Sequence, residues 1–279
     1  MTKKQKQEVG NQKKRKKSKD DSTSGLLTFG GHLEVFRQML FRILGVAGVI
    51  AAVVFCFKDI TWELLLAPSE WNFCTYRWIE RVMQAVGFNF HFDEFHVEMI
   101  ATDLSSQFMT HITTAIYLGL LGTSPYILYE LFRFISPALY ENERRYSVQV
   151  AGIVYVLFIL GVLMSYFVLF PISFRFLGTY SVSARVVSNI TLDSYISTFV
   201  SLTLVMGVVF QLPVIAFFLG KLGVVTSGTL ANYRKHSFIV IMLVAAIITP
   251  PDLMTLILVT IPLYFLYEVS IRVVKIVEK

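Results

Sequence analysis

The run Gln149-Val-Ala-Gly-Ile-Val-Tyr-Val-Leu-Phe-Ile-Leu-Gly-Val-Leu-Met-Ser-Tyr-Phe-Val-Leu-Phe-Pro171 holds 23 residues and no charged side chain. An α-helix rises about 1.5 Å per residue, so ~20 apolar residues cross the ~30 Å hydrocarbon core of a bilayer. This run therefore predicts a transmembrane helix and places the chain among integral membrane proteins.

The remainder of the chain has the same apolar character. It is 55% hydrophobic and 16% charged, with a mean hydropathy of +0.62, whereas soluble domains carry about 25% charged residues. We predict an all-α membrane protein with six transmembrane helices. The spans are assigned to residues 39–57, 112–131, 149–171, 196–219, 237–249 and 254–270.

The fifth and sixth runs are short for a membrane span, and Pro250-Pro251 ends the fifth because proline cannot continue a helix. Two interpretations stay open. Either the bilayer thins locally or one end sits deep, or flanking residues complete each span.

The basic residues predict the orientation. If both termini and the second and fourth connectors share one side, that side holds 20 of the 25 Lys and Arg residues. Short loops rich in Lys and Arg stay in the cytoplasm. We therefore expect both termini inside the cell, with the 132–148 connector facing the cytoplasm.

Residues 1–29 form a Lys-rich segment, with nine Lys or Arg between Lys3 and Lys19 and almost no apolar residue. Such a composition predicts a disordered cytoplasmic tail. Its main expected role is to set the orientation of the chain in the membrane, and its second is to attract anionic lipid. Nucleic acid is not an expected partner, because no aromatic side chain is interleaved to stack on bases. The chain thus divides into this tail and a six-span membrane domain, 30–279.

The connector Phe132-Arg-Phe-Ile-Ser-Pro-Ala-Leu-Tyr-Glu-Asn-Glu-Arg-Arg145 carries the strongest functional signal. Carboxylates beside aromatic rings accept guanidinium groups with fixed geometry. Glu141 and Glu143 are therefore candidates for binding a cationic peptide at the membrane surface. From the residues alone, the alternative is that both carboxylates decorate a solvated loop.

The first outer segment contains a second pattern. Phe88, Phe90 and Phe92 alternate with polar residues, and alternation resumes after Asp93-Glu94, which predicts a small β-hairpin. The His, Asp and Glu residues between 91 and 98 match no strong metal-ligand spacing, so we interpret them as its solvated face and predict no metal. Cys56 and Cys74 are expected to be free thiols.

Polar groups inside the predicted spans are few. Gln211, in Phe-Gln-Leu-Pro213, is either a helix-packing contact or a contact for a translocating segment. Asp252 follows Pro250-Pro251 and is expected to cap the sixth helix. No phosphate-loop, nucleophile-elbow or zinc-protease motif is present, so we predict neither an enzyme nor a cofactor.

Taken in chain order, these motifs resemble the TatC family, the six-span signal-peptide receptors of the twin-arginine protein translocase. The resemblance runs from about Gly30 to Glu268. The motifs that carry it are His32–Arg37, Met99–Asp103, Ser124–Tyr129, Glu130–Arg145, Phe210–Pro213, Ile248–Asp252 and Ile261–Glu268.

The resemblance implies a cupped helical bundle with short fifth and sixth helices in the bacterial cytoplasmic (inner) membrane. It implies binding of twin-arginine signal peptides and export of folded proteins, driven by the proton-motive force, in an oligomeric complex with TatA- and TatB-type single-span partners. By position it assigns Glu143, Phe134 and Arg37 to the peptide site. Pro125, Pro137 and Pro213 are then shape-setting residues.

Two departures from the family pattern stand out. The family's His-Leu-x-Glu-Leu-Arg has Val35 at the glutamate position here, with Glu34 one residue earlier, a turn of ~100° on a helix. Either Glu34 substitutes by repacking, or recognition depends on Glu143 and Glu141. Gln211 stands where some relatives carry a glutamate, and it cannot ionise.

Two other classes compete with this function. A secondary transporter of a small solute or ion would show internal repeats and several polar groups at mid-membrane, and neither is evident. A pure assembly scaffold would not depend on an arginine pair in its ligand.

Overall fold

The computed structural model describes residues 29–88, 91–95, 97–135, 147–181, 183 and 189–278. The predicted tail up to residue 28 lies outside this part of the chain, as do Pro137, Glu141 and Glu143. The descriptions below concern the described residues.

The described chain is mostly helical, with two strands of two residues each. The helices are α1 (Phe29–Cys56), α2 (Lys58–Leu66), α3 (Cys74–Ala85), α4 (Ser106–Ile135), α5 (Ser147–Met164), α6 (Phe170–Thr179), α7 (Leu192–Val209), α8 (Leu212–Lys221), α9 (Ser227–Asn232), α10 (Arg234–Ile248) and α11 (Leu253–Val277). The strands are β1 (Met99–Ile100) and β2 (Ile190–Thr191), which pair in parallel.

Among the described residues, four helical stretches are long and apolar enough to cross a membrane: Leu33–Cys56, Ala151–Thr179, Leu192–Lys221 and Leu253–Val277. The second and fifth predicted spans correspond to α4 and α10, which are not among these four stretches. The middle of α4 carries Thr, Ser and Pro, and α10 has only 15 residues. The helical membrane class is thus confirmed, whereas the count of six spans stays a prediction.

The prediction of a short sixth helix is wrong, because α11 runs for 25 residues. The helix thus extends seven residues past the predicted end at residue 270, through Arg272 and Lys275. The helix continues because Ile271 and Val274 are buried while those two cations lie on the exposed face. The fifth helix, α10, is short as predicted.

The third apolar run is interrupted by a π-helical turn at Ser165–Leu169, directly before α6. Pro171, near the start of α6, lacks the N–H that would reach the carbonyl of Phe167 four residues earlier. The Thr75 hydroxyl of α3 donates to that carbonyl instead, and the Tyr76 hydroxyl donates to the carbonyl of Pro171 at 2.8 Å. Thr75 and Tyr76 thereby hold α3 against the π-helical turn and the start of α6.

The predicted β-hairpin is not confirmed, since the described residues between Phe88 and Met99 contain no strand. Two of its aromatics instead contact Arg175, whose guanidinium carbon lies 4.3 Å from the ring centroid of Phe92 and 4.6 Å from that of Phe95. These cation–π contacts stabilise the described part of the segment without cross-strand pairing. Tyr76 completes the cluster at 5.4 Å, and burial raises the pKa of its phenol.

The helices meet closely at small residues. On α4, a Cβ added to Gly119 would lie 2.7 Å from the Cβ of Ala51 and 2.8 Å from its Cα, so α1 and α4 touch backbone to backbone. The main buried cluster lies elsewhere, around Phe170, Tyr195, Met206 and Leu263. The α1–α4 pair therefore depends on this close approach.

We expect Gly119→Ala to destabilise the protein by about 1–3 kcal/mol, because overpacking a tight contact forces the backbones apart. Melting of the detergent-solubilised protein would show a lower midpoint. Gly48→Ala on α1 is the matched control, since a Cβ there meets nothing within 4 Å. Equal effects of the two substitutions would contradict the tight-contact account.

The short helix α9 is fastened to the end of α11. The backbone N–H of Ser227 donates to Glu278 Oε1 at 2.6 Å, and its hydroxyl donates to Oε2. These hydrogen bonds lower the pKa of the Glu278 carboxyl from its ordinary value of 4.5. The Tyr267 hydroxyl adds a bond to the carbonyl of Leu230 at 2.7 Å.

Because the folded-state pKa of Glu278 is lowered, its stabilising contribution is present above pH 4.5 and is lost as the pH falls through the lowered value. We expect amides of α9 to lose protection from hydrogen exchange, corrected for intrinsic rates, on acidification through that window. Glu278→Gln should remove this pH dependence. If the protection of the α9 amides still depends on pH in the variant, another titrating group is responsible.

Candidate functional site

The candidate site lies at one end of the α1–α4 pair, here called the connector end and defined by residues 33–42 and 126–135. The connector 136–146 leaves α4 at this end. A 28-residue helix and a 30-residue helix bring these two segments together along their length.

Glu130 is the buried centre of the connector end, with 5% of its surface exposed. Tyr126, one turn earlier on α4, donates its hydroxyl to Glu130 Oε1 at 3.1 Å. Arg42 of α1 and Arg133 of α4 bring their Nη1 atoms to 3.7 and 3.8 Å from the same oxygen. A buried carboxylate is stable only when paired, and this pairing ties α1 to α4.

A second, exposed ion pair lies nearer the end of α1. Arg37 Nη2 donates to Glu34 Oε1 at 2.7 Å, and Gln38 Nε2 donates to the same atom at 3.3 Å. Both charged side chains are about half exposed or more, at 65% for Arg37 and 48% for Glu34. Such exposed pairs contribute only ~0–1 kcal/mol, so this one can exchange partners readily.

An aromatic contact lies beside these ion pairs. The rings of Phe36 and Phe134 meet edge to face with centroids 5.9 Å apart. The structure thus brings three of the predicted site residues, Glu34, Arg37 and Phe134, to the same end of the bundle. Val35, at the family's glutamate position, is 42% exposed.

Gln211 lies away from this end, where α7 ends and α8 begins. Its Nε2 donates to the carbonyl of Val154 at 3.1 Å and to that of Gly207 at 3.4 Å. Its Oε1 is buried and has no hydrogen-bond partner among the described residues. The bond to Val154 joins the α7–α8 junction to α5, as a helix-packing contact would.

Asp252 caps α11, as its position after two prolines predicts. Its Oδ1 accepts from the backbone N–H of Thr255 at 2.7 Å. Pro250 and Pro251 lie in the turn between α10 and α11, Pro213 lies in the first turn of α8, and Pro125 lies inside α4. Asp252, Pro213, Pro250 and Pro251 thus lie at helix ends, whereas Pro125 lies within α4, and none of them takes part in the connector end's ion pairs.

Sequence reasoning missed Glu130, Arg42 and Arg133 as parts of the site. The spacing of Tyr126, Glu130 and Arg133 places them on one helix face, so this signal was present in the sequence. A second missed pair joins α10 to α11, where Arg234 Nε and Nη2 donate to Glu268 Oε1 and Oε2 at 2.7 and 3.0 Å.

Fold and site together define a multi-helix membrane protein with a buried carboxylate–arginine cluster at one end. The family model described as "Sec-independent protein translocase protein (TatC)" matches residues 31–262. The chain therefore belongs to the TatC family. That family consists of protein translocase components rather than enzymes, which favours translocation over the secondary transporter.

Individual relatives agree. The TatC protein of Blattabacterium sp. subsp. Periplaneta americana is 32% identical over 251 residues, 88% of this chain and 94% of that protein. TatCy of Bacillus subtilis is 38% identical over 175 residues, 63% of this chain and 69% of that protein. A crystal structure of the twin-arginine translocase receptor TatC superposes with a TM-score of 0.70 at 29% identity, covering 89% of this chain and all of that one.

Replacing Glu130 by Gln should destabilise the protein by about 1–3 kcal/mol, since it leaves Arg42 and Arg133 without their shared carboxylate. Thermal melting in detergent measures the loss. Glu34→Gln, at the exposed pair, serves as the control and should change stability by less than about 1 kcal/mol. If Glu34→Gln lowers the stability as much as Glu130→Gln does, the burial of Glu130 is not the reason for its contribution to stability.

Proposed function

We propose that this protein is the signal-peptide receptor of a twin-arginine translocase and binds the arginine pair at the connector end. In this proposal it spans the bacterial cytoplasmic membrane six times with both termini inside, so the connector end faces the cytoplasm. The observation that carries it is the convergence of Glu34, Arg37 and Phe134 where the acidic connector leaves α4.

Selectivity for arginine over lysine sets the chemistry that the site must supply. An exposed ion pair contributes only ~0–1 kcal/mol and barely distinguishes the two cations. A partly desolvated carboxylate can bind a guanidinium through two hydrogen bonds, and removing one partner of such a pair costs ~2–5 kcal/mol of binding free energy. We assign this role to Glu143, with Glu141 and Glu34 as further acceptors.

The aromatic pair supplies the second requirement, which is shielding from water. The faces of Phe36 and Phe134 can cover a bound guanidinium and attract it through their π electrons. Because the two rings come from α1 and α4, their relative position is fixed by helix packing.

Arg37 acts in this proposal as an internal competitor. Its guanidinium already donates to Glu34, so an arginine of the peptide would replace Arg37 at a carboxylate that is already oriented to accept a guanidinium. The exchange costs little because the Arg37–Glu34 pair is exposed.

Glu130 plays a supporting part. Two arginines and a tyrosine already occupy its carboxylate region, so it positions α1 against α4 and does not receive the peptide. It also draws the Arg42 and Arg133 guanidinium groups toward itself, which limits their repulsion of an incoming cation.

We propose that this chain works in an oligomeric complex with TatA- and TatB-type single-span partners. In this proposal the proton-motive force drives the export of folded cargo. Exposed apolar side chains along α10 and α11, such as Leu243, Ile247 and Ile261, offer helix-docking or lipid-facing surface. A titrating carboxylate at position 211 is not part of this mechanism, since that residue is Gln211.

The direct test is binding of a labelled twin-arginine signal peptide to the full chain in nanodiscs, against the same peptide with both arginines changed to lysine. We expect the lysine form and the Glu143→Ala variant each to bind at least about tenfold more weakly, as loss of a desolvated bidentate pair requires. Glu34→Gln should weaken binding less.

Glu98→Ala, at the opposite end of the bundle, is the control and should bind the arginine peptide normally. Equal affinity for the arginine and lysine peptides would overturn the desolvated-carboxylate proposal. Arginine selectivity that survives Glu143→Ala would move the acceptor to another carboxylate.

A further inference from the structure

A recess opens at the end of the bundle opposite the connector end, where α2, α4 and α7 begin. Its volume is about 380 Å³. The residues that line it are Lys58, Trp62, Gln107, Phe108, His111 and Leu192. None of them has a part in the proposed peptide site.

The recess lies level with the ends of two candidate membrane spans. Leu33–Cys56 ends two residues before Lys58, and Leu192–Lys221 begins at the lining residue Leu192. A tryptophan and a lysine at this level are typical of the boundary between hydrocarbon and water. The recess therefore opens where lipid headgroups lie.

His111 is the most informative lining residue. Its ring stacks on Phe55 with centroids 4.3 Å apart and planes inclined by 12°, which fixes its orientation. Its Nε2 atom is buried and has no hydrogen-bond partner among the described residues. Buried polar atoms nearly always have partners, and the His111 ring lines the recess, so this nitrogen is left for a ligand that enters the recess.

The surroundings of His111 favour an anion. Lys58 contributes an ammonium group and Gln107 an amide donor. The recess also meets the first turns of α2, α4 and α7, whose helix dipoles place partial positive charge there. Asp59 and Asp193 belong to two of those turns but do not line the recess.

We propose that this recess binds the phosphate of a phospholipid headgroup, held by Lys58, Gln107 and His111. A lipid fits better than a free phosphate because the adjoining apolar side chains of Phe108 and Met109 are 58% and 57% exposed. At the membrane boundary these side chains receive the acyl chains. In the proposed topology the site lies in the outer leaflet.

Native mass spectrometry of the full chain in detergent tests the assignment. Phosphatidylglycerol is compared with a diacylglycerol of the same chains, which lacks the phosphate. We expect phosphatidylglycerol to bind about tenfold more tightly, and Lys58→Gln with His111→Phe to abolish most of this preference, since charge-assisted hydrogen bonds are lost. Phenylalanine preserves the stack on Phe55, and Lys58→Gln alone, at an exposed side chain, should lower the preference partly.

Lys275→Gln, near the other end of the bundle, is the control and should retain the full preference. Equal binding of the two lipids, or an equal loss in the control, would overturn the proposal. Inorganic phosphate is added as a competitor, and displacement of the lipid at equal concentration would assign the recess to a free anion instead. Signal-peptide binding does not enter the experiment, so its outcome is independent of the proposed receptor function.

Discussion

The structure depends on one constraint: inside a bilayer no water molecule is present to donate a hydrogen bond to a backbone carbonyl. Pro171 and Pro213 each remove a helical donor from a long apolar stretch. The Thr75 hydroxyl reaches the carbonyl freed by Pro171, and Gln211 supplies donors at the break between α7 and α8. Polar side chains therefore lie beside these two helix breaks. The position of helix α3 depends on the break at Pro171, which its Thr75 and Tyr76 side chains contact.

Hydrophobic runs predicted which segments are helical, because burial in lipid demands both apolar composition and internal hydrogen bonding. They predicted helix ends poorly, since α1 begins at Phe29, ahead of the first apolar run. At the other end of the chain, α11 continues to Val277 through Arg272 and Lys275 because Ile271 and Val274 stay packed. Alternation between Phe88 and Met99 predicted a hairpin, but a period-two pattern does not reveal that Phe92 and Phe95 contact the guanidinium of Arg175, which lies far along the chain.

Local contacts could be predicted from neighbouring residues, whereas contacts between different helices could not. Asp252 caps α11 as predicted, while Glu141 and Glu143 of the connector lie outside the described residues and their role stays a prediction. Arg42 and Glu130 lie far apart in sequence, and their pairing follows from the register of α1 against α4. That register is set by the approach of Gly119 to Ala51, which no hydrophobic pattern encodes.

The backbone contact at Gly119 also has a mechanical meaning. Two long helices that touch without intervening side chains, and that are joined again through Glu130, have little freedom to slide or rotate against each other. They form a lever with Phe134 near one end and Cys56 at the far end of α1. A force applied at Phe134 would turn α1 as well, so Cys56 would move in step with it.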